Sequence, residues 1–164
     1  DDSNWDTLRD APFMHRVSGG VPSGDILEFL PDFVGHVGFS PVVPLKGELV
    51  GPVVRSIREQ VIARTGLNYT TAMFVTNDRT VTIVNAMFYL KDDPNHMAAT
   101  IGLAKELLVQ MSEQGYMEYR AHLDFMDLAQ EQLDFGGHAY RRFTETIKDA
   151  VDPLGSLGNG ARQP

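Results

Sequence analysis

Two runs rich in β-branched and aromatic residues, YTTAMFVT at 69–76 and TVTIVNAMFYL at 80–90, flank the polar triplet Asn77, Asp78, Arg79. Side chains of this kind suit a pleated, half-buried surface, and a short polar break between two such runs predicts an antiparallel hairpin. The neighbouring segments restrict what that hairpin can pack against. Upstream, residues 48–65 set Leu49, Val53, Ile57, Val61 and Ile62 at helical spacing, with Arg55, Arg58, Glu59 and Arg64 elsewhere and Gly66 as the stop. Downstream, Asp93 has the character of an N-cap and Pro94 that of a first helical residue, and apolar positions then recur through Ile101, Ala104, Leu108 and Met111 to Gly115. Ahead of the first helix, HVGFSPVVP from His36 reads as a strand ending near Pro41 or Pro44. The order strand, helix, strand, strand, helix predicts an α+β fold, an antiparallel sheet with helices packed on one face in the ferredoxin-like manner, followed by a helical C-terminal segment. In that segment Tyr116–Arg120 is expected to be extended, 123–132 helical, and 137–149 a helix with Arg141, Arg142 and Lys148 on its outer face.

The 164 residues fit one domain, or one domain with an appendage, and suffice to bury a core. With 43% hydrophobic and 22% charged residues the composition is that of a globular protein. Zero cysteines exclude disulfides and thiolate metal sites and fit a reducing compartment. A net charge of −8 with no basic stripe opposes nucleic acid and anionic membrane as partners. No apolar run is long enough to cross a bilayer, and the acidic start DDSNWDTLRD is unlike a signal peptide, so the expectation is a soluble, cytoplasmic chain. A start without Met predicts a processed chain or a fragment. Prolines and glycines punctuate residues 1–35, which read as connecting structure with one helical turn at 25–30, and VDPLGSLGNGARQP at the end reads as irregular.

The chemistry concentrates in GYMEYRAHLDFMD, residues 115–127, where Glu118, Tyr119, Arg120 and His122 fall within five positions. Glu118 and His122 stand at i, i+4, but no HxxxH or HExxH is present, and the bland reading of a surface pair outweighs a metal site. Gly158–Gly160 lacks the preceding strand and following helix of a phosphate loop. From composition alone, His36 reads as a structural histidine whose small neighbours, Gly35 and Gly38, let a planar group approach the backbone. Arg120 reads as the ion-pair partner of Glu118 or Asp124. On a strand, Tyr119 and Arg120 would point to opposite faces, and only at a strand end or bulge could they meet one anion. Residues alone thus give an α+β domain with a candidate anion site.

Three motifs carry a resemblance: GHVGFSP at 35–41, EYRAHLDFMD at 118–127 and HAYRRFTETIKDAVDP at 138–153. In this order they resemble the C-terminal part of the vanillyl-alcohol oxidase and 4-cresol methylhydroxylase family of FAD-linked enzymes, and within it the bacterial eugenol oxidase type. The resemblance implies a substrate-covering cap domain over 1–114, a segment returning to the FAD-binding domain over 115–164, and an N-terminal FAD-binding half absent from this chain. It implies FAD bonded covalently through His36, a link that withdraws electron density from the flavin and favours hydride uptake. Gly38 and Ser40 would line the substrate pocket, with glycine leaving room for a bulky para substituent, and Thr71 and Met73 on the next strand would line it too. Tyr119 and Arg120 match residues that hold a para-substituted phenol as its phenolate, so that loss of hydride from the benzylic carbon yields a neutral quinone methide. Glu118 would support the site by orienting the neighbouring arginine, and His122 would be structural. The tail departs from the family pattern, with Leu154, Ser156 and Asn159 at positions expected near the flavin.

The function so implied is FAD-dependent oxidation of 4-alkylphenols and 4-hydroxybenzyl alcohols, with dioxygen or a cytochrome as electron acceptor and a homo-oligomeric assembly. Its rivals are a cytochrome-linked 4-alkylphenol methylhydroxylase and a non-catalytic α+β binding or assembly module without flavin.

Overall fold

The structure is a computed structural model that describes residues 34–67 and 70–155. The expected turn at 25–30 and the tail from 156 onward lie outside the described residues. The strand expected from His36 forms in two pieces, β1 (Val34–Phe39) and β2 (Val42–Pro44), followed by α1 (Gly47–Thr65), β3 (Thr70–Val75), β4 (Thr80–Leu90) and α2 (Pro94–Glu113). A 3-10 turn (Leu123–Phe125), α3 (Met126–Glu131) and α4 (Phe135–Val151) complete the described chain.

β4 is the spine of the sheet. It pairs antiparallel with β3 on one side and with β1 and β2 on the other. Phe39 faces Asn85 and Val42 faces Thr82, so the register runs unbroken from β1 into β2 with no residue gained or lost. Beyond β1 and β2, Val42 N donates to Met117 O and Tyr119 N to Ser40 O, both at 2.8 Å, and Pro41 bridges Glu118. The spatial order is therefore β3, β4, β1/β2, then the extended piece at 117–119. A split βαβ fold predicts this arrangement, with the last strand reduced here to a few residues.

Pro41 explains both the interruption and a buried asparagine. Ile83 N donates to Pro41 O at 3.0 Å, but Pro41 has no N–H to return, which would orphan the Ile83 carbonyl. Asn85, fully buried, supplies the missing donor: its Nδ2 lies 2.9 Å from both Ile83 O and Phe39 O. Asn85 is thus a local repair of a proline in a strand that is not at an edge.

The core lies between one face of the sheet and the two long helices. Val37, Phe39, Val43, Val81, Ile83 and Met87 from the strands meet Val53, Ile57 and Val61 of α1 and Leu103, Ala104, Leu107, Leu108 and Met111 of α2. The i, i+4 spacing of Val53, Ile57 and Val61 is the stripe that the sequence announces, and burial of each such side chain contributes about 1.5–3 kcal/mol. Asp93 caps α2 through Asn95 N and His96 N at 3.0 Å, with Pro94 next in line, as the sequence predicts. His96 ties the layer together, since its Nδ1 accepts from Leu90 N at 3.0 Å, which puts the ring proton on Nε2, 2.9 Å from Thr65 O. Gly35 is required by packing: a Cβ there would sit inside the Tyr89 ring, its cross-strand partner.

The C-terminal segment departs from expectation in two respects. Gly136, Gly137 and His138 all have positive φ, so the regular part of α4 begins only after them. Lys148, expected on the outer face, instead turns inward and pairs with the buried carboxylate of Asp152 at the helix end. Arg142 is exposed as expected, and so is an apolar stripe of Tyr140, Phe143, Ile147 and Val151.

Candidate functional site

Alternation along β1 divides the site residues between the two faces of the sheet. Val37 and Phe39 enter the core, whereas His36 and Gly38 are exposed on the opposite, open face. Cross-strand partners share a face, so the register adds Phe88 opposite His36, Ala86 opposite Gly38, and Thr70, Ala72 and Phe74 of β3 opposite Ala86, Val84 and Thr82. Phe88 packs with Val34 and Leu67 in a small second cluster, which steadies the strand beneath His36. Space around Gly38 is open, since a Cβ there would meet nothing within 4 Å.

Ser40 continues this parity, and Tyr119 lies opposite it on the edge piece. His36, Gly38, Ser40 and Tyr119 therefore share one side of the sheet, with Tyr119 62% exposed. Thr71 and Met73 do not join them. They pair with Asn85 and Ile83 and so carry the parity of the helix-covered face, and the β3 positions that share the face of His36 are Thr70, Ala72 and Phe74. Strand parity could have found these three from sequence once the hairpin register was known.

Arg120 follows Tyr119 into a bend and diverges from it. It helps to line a cavity of about 420 Å³ with Met117, Glu118, Leu123, Met126 and Tyr140. No ion pair holds its guanidinium among the described residues, so neither Glu118 nor Asp124 is its charge partner. Asp124 lies near His122 instead, whose Nδ1 caps the 3-10 turn at Asp124 N, a structural role. Glu118 meets the main chain: both its oxygens accept from Ser40 N, at 2.8 and 2.9 Å, and the Arg120 N–H also donates to the carboxylate. Burial pushes the Glu118 carboxyl up to about 7, and the two backbone donors pull the other way.

The His36 imidazole is exposed and makes no hydrogen bond among the described residues, and a Cβ at Gly38, two positions on, would meet nothing within 4 Å, so both residues are compatible with the flavin that the resemblance implies. Among the described residues no group of His, Asp and Glu is arranged to hold a metal, and no helix is long and apolar enough to cross a membrane.

No family model matches the chain. Among curated proteins it is 28% identical, over 91% of its own length, to the flavoprotein subunit of 4-cresol dehydrogenase [hydroxylating] from Pseudomonas putida. It is 26% identical over 79% of its length to 1'-carboxy-chondrochloren decarboxylase from Chondromyces crocatus. The fold is similar to that of 4-ethylphenol oxidase from Gulosibacter chungangensis in complex with isoeugenol, with a TM-score of 0.72, 28% identity and 82% of this chain covered. It is also similar to that of p-cresol methylhydroxylase with substrate bound, with a TM-score of 0.66, 25% identity and 87% covered. The chain spans 28% and 23% of the lengths of these two curated relatives and 26% and 27% of the two solved chains. In both sequence and fold, the chain is similar to about a quarter of the length of proteins named for acting on para-substituted phenols, 4-cresol dehydrogenase, 4-ethylphenol oxidase and p-cresol methylhydroxylase, which is consistent with a partial chain of the vanillyl-alcohol oxidase family.

Proposed function

We propose that this chain is the part of an FAD-linked oxidoreductase that covers para-substituted phenols, 4-alkylphenols and 4-hydroxybenzyl alcohols among them, and that His36 is its covalent attachment point for the flavin. The observation that carries the reading is one open sheet face on which an imidazole without a hydrogen bond among the described residues, a glycine and a tyrosine stand together. Residues 1–114 act as the cap portion and 115–164 as the segment returning to a FAD-binding half that lies outside this sequence.

The bound flavin supplies the acceptor for a hydride from the benzylic carbon of the phenol. Tyr119 donates its hydroxyl proton in a hydrogen bond to the phenolate oxygen. The Arg120 guanidinium, permanently charged and without a carboxylate partner among the described residues, swings on its long side chain to the same oxygen. Holding the ring oxygen as an anion favours hydride loss, and the interaction gains strength as water is excluded. Gly38 leaves space for the para substituent, and Ser40 presents a small polar wall beside Tyr119. Dioxygen or a cytochrome would be the final electron acceptor, the latter supported by likeness to a protein named as a flavoprotein subunit. The full-length protein works in the cytoplasm as a homo-oligomer.

The test is peptide mapping by mass spectrometry of the protein purified with its flavin, followed by anaerobic mixing with a 4-alkylphenol. Flavin mass on the His36 peptide and bleaching of the flavin band by the phenol are expected. Bleaching without added mass would sink the covalent link, and no bleaching by any para-substituted phenol would sink the activity. Oxygen uptake during turnover separates an oxidase from a cytochrome-linked dehydrogenase.

A further inference from the structure

In a regular antiparallel ladder, the Tyr119 N–H to Ser40 O bond has a reciprocal, from Ser40 N–H to Tyr119 O. Here that reciprocal is missing. The chain bends at Tyr119–Arg120, and both carboxylate oxygens of Glu118 take the Ser40 N–H instead, at 2.8 and 2.9 Å. The same carboxylate receives the Arg120 N–H, so the pocket strand and the turn bearing the phenolate-binding residues hang on one side chain. Glu118 stands in for a main-chain carbonyl at the point where the ladder must end to release Arg120.

We propose that Glu118 is a positioning residue that ends the edge ladder and fixes the distance between the Ser40 wall and the Tyr119–Arg120 turn. This rests on the phenol-oxidase reading and deepens it, because the role implied by the family resemblance, orientation of the arginine side chain, is replaced by attachment of two main-chain amides. In this proposal the carboxylate acts on main-chain amides rather than on substrate or flavin. Its role is that of an acceptor, and a neutral amide oxygen of the same reach can perform it. Of the titratable groups, Arg120 and Tyr140 line the cavity that Glu118 lines.

The experiment compares native, Glu118→Ala and Glu118→Gln proteins, full-length and flavin-loaded, by steady-state kinetics on a 4-alkylphenol and by hydrogen exchange of the peptides containing Ser40 and Arg120. Glu118→Ala is expected to raise KM about tenfold with a smaller change in kcat, and to speed exchange at both amides. Glu118→Gln, which keeps an acceptor oxygen, is expected to restore both readouts. A Glu118→Ala protein with native KM and native exchange overturns the proposal, as does a Glu118→Gln protein as impaired as Glu118→Ala. Should Glu118→Ala fail to fold, Glu118→Asp, one methylene too short to reach Ser40, takes its place: raised KM with faster exchange supports the proposal, and native values of both overturn it. If the native protein turns over no phenol, the activity reading fails, while the exchange contrast still decides whether Glu118 holds the two amides.

Discussion

The two faces of the sheet are built from the same strands, yet they differ in almost everything that follows from burial. On the covered face, every second residue of β1 and β4 locks against α1 and α2, and Val43, Ile57, Ile83 and Leu107 have no exposed surface. On the open face the alternate residues are His36, Gly38, Ala72 and Phe74, which none of the described helices covers. Stability therefore comes from one face, and the chemistry proposed for the chain is left to the other. A period of two along a strand allows a single β1 to serve both, because adjacent residues never compete for the same side.

The sharpest way to break this division is at His36. His36→Ala is expected to abolish covalent flavin completely while shifting unfolding free energy by no more than about 0.5 kcal/mol, as for a surface substitution. Mass spectrometry and urea unfolding of the same preparation check both halves of that statement. Ile57→Ala on the covered face is expected to do the reverse, costing about 2–5 kcal/mol in urea unfolding and leaving the His36 attachment chemistry intact in the protein that remains folded. Gly35→Ala sharpens the comparison at a position adjacent to His36 but of opposite parity. Its Cβ must displace the Tyr89 ring, for an expected cost of about 1–3 kcal/mol seen as a lowered Tm.

The smallest effect concerns pH and the seam between the faces. The Glu118 carboxyl is raised from 4.5 to about 7, so between those values the folded state holds a proton that the unfolded state releases. Its contribution to stability is greatest below 4.5 and is lost as pH rises through 7. Glu118→Gln cannot titrate, so its Tm relative to native should rise across that window and then level off. A Tm difference independent of pH from about 4 to about 8 would show that burial does not raise this carboxyl.

Much of the covered face is legible in the chain, because its signals are local. The stripe Val53, Ile57, Val61, the Asp93–Pro94 cap and the polar break at 77–79 each act over a few residues, and the helices and hairpin appear where those signals lie. The open face is only partly legible. His36, Gly38 and Ser40 are marked by their motif, but assigning Thr71 and Met73 to their pocket required a register between strands, which no local pattern encodes. The role of Glu118 was hidden for a similar reason: its acceptor function depends on Ser40, 78 residues away. The inward turn of Lys148 toward Asp152 depends on burial of a carboxylate that looks solvent-exposed in a turn-rich tail. Helical spacing of Tyr140, Phe143, Ile147 and Val151 is visible in sequence, but only the fold shows that the described residues leave them largely exposed.

The pairing of Pro41 with Asn85 has an implication for how such a chain can drift. Either residue alone is a poor choice for the interior of a sheet: the proline strands a carbonyl, and the asparagine brings a polar amide into a hydrophobic layer, where its own Oδ1 finds no partner among the described residues. Together they are tolerable, so each substitution is costly unless the other has already occurred. A homologue with a residue other than proline at the first position has no such need of an amide at the second, and the two sites should be exchanged as a unit when segments of this fold are recombined.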